Sequence, residues 1–238
     1  TLPHVSAFLG SDWSSNGDFL TPAYYKTRKI SPTWGPTITS AIDFLDGSEG
    51  GQQFFIEDGG FPDLLADYLK AGAKGAWFTR GRLLSRELKK ILPQLDPLGN
   101  FMPWFAQGID ASDGRLSLQR PWYAPFGKTR LDLDWKLARS EGLFNAIVAM
   151  HKKLSAATGG EPWVPPTWTL LKSLVTPHPL GGCSMGSTRQ DGVVDHRGEV
   201  FGHPNLFVVD GSIVPKAVGR NPSRTIAALA ERIAALIP

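Results

Sequence analysis

Glycine and proline interrupt this chain throughout, 26 and 19 times in 238 residues, and no other feature limits its architecture as much. Glycine weakens a helix or strand interior through backbone entropy, and proline removes a backbone donor. Regular elements must therefore fit between them. Together the two make up about a fifth of the chain, above the average of about 12% but below the disordered range. A folded protein with many turns and irregular loops is expected. The length and the 42% hydrophobic content permit one or two domains, with roughly 70% of the unfolded surface buried and no need of staples.

Residues 10–36 are turn-rich. Residues 37–45 alternate, with Ile38, Ser40, Ile42 and Phe44 on one face, which predicts a half-buried strand. A second strand is expected over Gln52–Glu57, ended by Gly59-Gly60. Phe61–Lys70 reads as a short helix. Gly81–Leu92 reads as an amphipathic helix, with Leu83, Leu84, Leu88, Ile91 and Leu92 on one half and Arg82, Arg86, Lys89 and Lys90 on the other. Met102–Ile109 and Arg115–Gln119 suggest a hairpin around Asp113-Gly114. Leu131, Leu133 and Trp135 alternate as a strand. A long helix over roughly 136–158 carries Leu137, Phe144, Ile147, Val148, His151 and Leu154 at helical spacing, and Gly159-Gly160 ends it. Beyond residue 160 prolines dominate. A Gly-rich loop (180–186), a hairpin (Gly192–Phe201) and a strand (Asn205–Asp210) follow. A final helix is expected over Pro222–Ile237, with Asn221 as N-cap and Pro222 at its first position.

The net charge of +3 is a weak basis for nucleic-acid binding. Basic groups are concentrated, however: residues 70–90 hold seven of them (Lys70, Lys74, Arg80, Arg82, Arg86, Lys89, Lys90) against one acid, Glu87. The basic helix at 81–92 reads first as a solvated face, and second as a peripheral contact with an anionic membrane. The single cysteine, Cys183, excludes an intrachain disulfide and a multi-cysteine zinc site. No apolar run reaches the roughly 18 residues of a membrane helix. The first ten residues carry neither a Met nor a signal-type pattern, so the chain is expected to be part of a larger protein.

Chemistry concentrates in Pro177-His-Pro-Leu-Gly-Gly-Cys-Ser-Met-Gly186. Gly182-Cys-Ser-Met-Gly186 matches a nucleophile elbow with Ser184 as nucleophile, but that motif needs a strand before it and a helix after it, and neither flank fits. His178, Cys183, His196 and His203 could ligate a metal, yet their spacings match no zinc pattern, and Cys183 reads more simply as a small buried hydrophobe. His178 could instead be an acid–base group on a backbone held rigid by prolines and glycines, close to a ligand.

His178-Pro-Leu-Gly-Gly-Cys-Ser-Met-Gly186, Val200-Phe-Gly-His-Pro-Asn-Leu-Phe-Val-Val-Asp-Gly-Ser-Ile-Val-Pro215, Gly219-Arg-Asn-Pro222 and the helix that follows resemble the C-terminal signature of the glucose-methanol-choline (GMC) oxidoreductases, FAD-dependent alcohol oxidases and dehydrogenases. Gly10-Ser-Asp-Trp-Ser-Ser-Asn-Gly17 and Gln53-Phe-Phe-Ile-Glu57 are similar to segments of its cholesterol oxidase branch. Between about 60 and 170 only the order of elements agrees.

The resemblance implies an α+β fold: an antiparallel-sheet substrate-binding domain with helices (20–175), and a C-terminal strand, hairpin and helix (176–238) that complete an FAD-binding domain, with 1–19 as its edge. It implies hydride transfer from an alcohol, such as a sterol or another large apolar alcohol, to FAD. It assigns catalysis to His178 and Asn221, and proton movement during steroid isomerisation to Glu57. It places Asp210, Gly211, Asn221 and Pro222 at the cofactor, and it implies no metal. Glu57 is followed by Asp58-Gly-Gly, where the family continues with apolar residues, so a solvated surface glutamate remains an alternative. No G-x-G-x-x-G occurs in the chain, so the FAD pyrophosphate fingerprint would lie in an absent N-terminal half, its natural partner. By itself the chain is then expected to bind FAD weakly and to be inactive. The other readings are a stand-alone binding module without redox chemistry and a hydrolase using Ser184.

Overall fold

The computed structural model describes residues 3–60, 100–120, 127–165, 168–169 and 174–237. The helices expected at 61–70 and 81–92, and with them the basic face proposed for a membrane, lie outside these residues. The fold is α+β. β1 (Phe19–Tyr24), β2 (Ala41–Glu49), β3 (Gln52–Asp58), β4 (Phe101–Gly108) and β7 (Glu161–Pro162) form an antiparallel sheet of order β2-β3-β4-β1-β7. β5 (Arg115–Gln119) and β6 (Arg130–Asp134) form a separate antiparallel pair. The helices are α1 (Glu141–Ala157) and α2 (Ser223–Ala234), with 3-10 turns at Leu137–Arg139 and Gly211–Ile213.

Strand alternation divides the larger sheet into two unlike faces. Phe54 and Ile56 on β3, Trp104 and Ala106 on β4, and Phe19 and Ala23 on β1 share one side through the register Phe19↔Ala106 and Ile56↔Ala106. α1 presents Phe144, Ile147, Val148 and His151 at helical spacing; the first three join the strand side chains in one buried cluster, and His151 is buried with its ring stacked 6.5 Å from Phe19. Full burial of residues such as Phe54, Phe144 and Ile147 stabilises the fold by about 1.5–3 kcal/mol each. The other face carries Phe55 and Glu57 from β3, Phe105 and Gln107 from β4, and Leu20 from β1.

A second buried cluster, Leu180, Val193, Val194, Val200, Ile213, Val214 and Ile233, is assembled mainly from loops. Residues 180–185 run between two other backbones. Ser14 and Leu180 exchange hydrogen bonds of 2.9 and 3.1 Å, while Cys183 and Met185 donate to Ser212 and Ile213 at 2.9 Å. Gly181, at φ +76°, makes this approach feasible, because a Cβ there would lie 1.9 Å from the Asp12 carbonyl oxygen.

Four expectations need correction. Met102–Ile109 and Arg115–Gln119 do not form a hairpin: β4 lies between β1 and β3, and β5 pairs with β6. Trp13 and Gly114 exchange backbone hydrogen bonds of 2.9 Å, so the chain after β4 is committed to the N-terminal segment. The helix expected from 136 begins as a helix at Glu141. Buried Ser140 separates it from the 3-10 turn and spends its hydroxyl on the Ala111 N–H at 3.0 Å. The hairpin at 192–201 and the strand at 205–210 are reduced to isolated bridges, Val194↔Val200 and Glu199↔Phe207, because the Asp195 carboxylate draws Arg197 N and Glu199 N into a tight turn. The last helix spans Ser223–Ala234, and its N-cap is Pro222, not Asn221.

Candidate functional site

The site is anchored by a run of polar residues that the chain buries completely: Ser14, Ser15, Asn16 and Asp18 are each 0% exposed. Buried polar groups persist only when hydrogen-bonded, and each of these has partners. The Asp110 carboxylate accepts from the Ser14 hydroxyl at 2.7 Å and from both N and Oγ of Ser15 at 2.8 Å. Asn16 reaches the opposite end of the chain. Its Oδ1 accepts from Val218 N and Gly219 N at 2.9 and 3.1 Å, and its Nδ2 donates to the Arg220 carbonyl at 2.9 Å. Arg220 then lies 4.8 Å over the Phe55 ring and pairs with Asp43. The loop that presents Asn221 is thereby fixed against β2 and β3.

Asn221 turns its amide toward the sheet. Its Nδ2 donates to both Glu57 oxygens at 3.0 Å, and Gln107 Nε2 lies 3.2 Å from Glu57 Oε1 and 3.4 Å from Asn221 Oδ1. Glu57 is only 3% exposed and Gln107 is fully buried, so Glu57 is not a solvated surface glutamate. The neighbouring Asp58 has a separate, structural role. Burial opposes its ionisation, but hydrogen bonds from Thr39 and Ser40 outweigh burial and hold its carboxyl below the usual range.

His178 meets the same sheet face. Its ring stands 5.9 Å from Phe105, the residue paired directly with Glu57 across β3 and β4. Side chains opposite each other on one face lie within about 5.5 Å at Cβ, so the imidazole and the Asn221 amide are brought to adjoining sheet positions. Behind the ring, Nδ1 lies 2.9 Å from Asp18 Oδ1. Sequence pattern alone marks neither Asp18 nor Gln107 as part of the site. The turn-rich stretch before β1 was the available signal for Asp18, but nothing in it marked those polar residues as buried.

Asp210 and Gly211 lie off the sheet face, where Gly211 O accepts from Gly181 N at 3.3 Å. The Asp210 carboxylate caps the 3-10 turn, accepting from Ser212 N at 2.8 Å and from the Ser212 hydroxyl at 2.5 Å. Gly211 is closely packed, since a Cβ there would lie 3.1 Å from Ile226 Cδ1. Pro222 is buried and gives α2 no side-chain cap. Because Asn221 is engaged with Glu57, the first-turn N–H groups of α2 have no side-chain acceptor among the described residues, and its positive end suits an electron-rich carbonyl edge of a flavin. The residues fit that group. Ser184 does not fit a nucleophile: it is 1% exposed, and among the described residues its hydroxyl has no partner, so no base activates it. Burial and the Asp210 carboxylate push the Cys183 thiol up. Among the described residues no group of three or more His, Cys, Asp or Glu side chains could hold a metal.

Comparison with known proteins identifies the family. The GMC oxidoreductase model matches residues 110–230. A cholesterol oxidase of Acinetobacter baumannii is 39% identical over 245 aligned positions, covering 100% of this chain and 43% of that protein. A cholesterol oxidase of Mycobacterium tuberculosis is 41% identical over 87 residues, covering 36% of this chain and 14% of that protein. The chain thus spans less than half the length of these relatives. Among solved structures, pyridoxine 4-oxidase from Mesorbium loti superposes with a TM-score of 0.60 at 18% identity, covering 97% of this chain and 44% of that one, a likeness of fold. With a family model matched over half its length, the chain belongs to the GMC oxidoreductase family.

Proposed function

We propose that this chain is the C-terminal portion of an FAD-dependent alcohol oxidoreductase whose substrate is a sterol or another large apolar alcohol. The observation that carries the reading is that the His178 ring lies against Phe105 while the Asn221 amide bonds Glu57, cross-strand neighbours on one sheet face, each group backed by a buried carboxylate. The likeness to the Acinetobacter baumannii cholesterol oxidase supports the substrate class. In this reading residues 20–175 bind substrate. Residues 1–19 and 176–238 complete the FAD-binding domain, with Asp210, Gly211, Asn221 and Pro222 near the cofactor. The two separate buried clusters support that division.

When bound, FAD supplies the acceptor for the hydride that leaves the alcohol carbon. His178 takes the hydroxyl proton as the carbonyl forms, which is general-base work suited to an imidazole. Asn221 orients the oxygen through an amide hydrogen, provided one N–H turns from Glu57 to substrate. Glu57 holds that amide in place and, with a steroid substrate, moves the proton during isomerisation of the oxidised product. Phe105 and Leu20, on the same face, offer an apolar wall.

The test is anaerobic flavin reduction by a sterol in the full-length protein, followed by stopped flow. His178→Ala is expected to slow reduction by about 10²–10⁴-fold. An unchanged rate overturns the role of His178. Absence of bound flavin in the full-length protein overturns the reading altogether.

A further inference from the structure

Among the described residues, the hydrogen bonds of the Asp18 carboxylate all run to the segment that carries His178. Asp18 is 0% exposed, at the end of the buried polar run that leads into β1. Its Oδ2 accepts from the His178 backbone N–H at 2.9 Å and lies 2.6 Å from the Thr176 hydroxyl. Its Oδ1 lies 2.9 Å from His178 Nδ1. Thr176 is fixed in turn by its contact with the Ser15 carbonyl at 2.9 Å. One carboxylate thus grips both the backbone and the ring of the same histidine.

We propose that Asp18 is a positioning residue that sets the tautomer of His178. This rests on the reading of His178 as the group that takes the alcohol proton. An ionised carboxylate only accepts, so the ring must carry its proton on Nδ1. The lone pair is then on Nε2, for which the described residues offer no hydrogen-bond partner. The side chain is 24% exposed, which leaves the ring accessible while its carboxylate is sealed. A ring free to turn or to exchange tautomers would present an N–H to the hydroxyl for part of the time and could not take its proton. Asp18 removes both freedoms, because the backbone contact at Oδ2 stops the carboxylate from following a rotating ring.

The geometry gives Asp18→Asn a specific consequence. The site needs two acceptors, one for the His178 backbone N–H and one for Nδ1–H, and an amide has only one oxygen. The backbone N–H can only donate, and its other acceptor, the Thr176 hydroxyl, is more distant at 3.2 Å against 2.9 Å, so the oxygen stays with it and the new NH2 group faces Nδ1. Nδ1 must then accept, and the ring proton moves to Nε2, the nitrogen that should face substrate.

The experiment reads the ring directly. In full-length, flavin-loaded protein labelled with 15N-histidine, the His178 resonances, assigned by their loss in His178→Ala, are expected to show Nδ1 protonated and Nε2 bare. Asp18→Asn is expected to reverse this pattern and to slow anaerobic flavin reduction by about 10²-fold or more. Thr176→Val, which loosens the loop but keeps the carboxylate on the ring, is expected to retain the wild-type pattern. A wild-type ring protonated on Nε2 overturns the proposal even if the variants fail to fold, and so does an Asp18→Asn ring that stays protonated on Nδ1. A reversed ring with reduction at the wild-type rate overturns the reading of His178 as proton acceptor, so the two failures are distinguishable.

Discussion

Glu57 receives the Asn221 amide through both of its oxygens, each 3.0 Å from Nδ2. The contact joins the end of β3 to the loop before α2, across 164 residues of sequence. It places a side chain that reads as a helix cap on the sheet, where it can address a substrate.

Glu57→Gln tests this contact. The new amide would bring a third NH2 group against those of Asn221 and Gln107, and at least one buried donor would lose its acceptor. A hydrogen bond to a charged group contributes about 1.5–3 kcal/mol, so the variant is expected to unfold at lower urea by about that amount. Flavin reduction should slow as well, because Asn221 is no longer oriented. Urea denaturation and stopped-flow reduction of one preparation measure both effects.

Asn16→Ala should reach Asn221 from a distance. It removes the acceptor of Val218 N and Gly219 N and the donor to the Arg220 carbonyl. Unsatisfied buried backbone groups cost about 1–3 kcal/mol each, so a loss of at least about 2 kcal/mol is expected in chemical denaturation. Reduction by substrate should slow while His178 keeps its tautomer, since the contacts of Asp18 do not involve Asn16.

His151 predicts a pH dependence of stability. Burial alone holds its imidazole at about 3, and among the described residues neither ring nitrogen has a partner. The folded value lies below the unfolded one of about 6.5, so below pH 6.5 the unfolded state binds the extra proton. Stability is therefore full above pH 6.5 and falls progressively toward pH 3. At pH 5 this one group removes about 2 kcal/mol. His151→Leu is expected to flatten that part of the profile, measured as urea midpoints at pH 7 and pH 5.

What the sequence made legible depended on local pattern. Phe144, Ile147, Val148 and His151 declared the buried face of α1 by their spacing alone, and Gln52–Glu57 declared β3. Strand pairing was not local. Asp113-Gly114 has the residues of a hairpin turn, yet Gly114 pairs with Trp13 instead, a contact across about a hundred residues that outweighs the short-range signal. Asn221 shows the same competition: its identity suits a cap, but its Nδ2 donates to a buried carboxylate from β3 and the side chain leaves the helix end uncapped. His178 and Glu57 could be named because their segments resemble known motifs. Asp18 and Gln107 could not, because an aspartate in a turn and a glutamine in a strand acquire meaning only when the distant chain closes over them.

The bond from Asn16 to the Arg220 carbonyl spans 204 residues. During synthesis at about 5–20 residues per second, the first partner waits roughly 10–40 seconds for the second to be made. Ser14 and Ser15 gain Asp110 about half-way through that interval, but Asp18 and Asn16 wait for 176–178 and 218–220, while the sheet and α1 can already assemble behind them. Loop-closure entropy must be met before such contacts reward it. The contacts that hold the Asn221 loop and the His178 segment are therefore the last of this site that the growing chain can make.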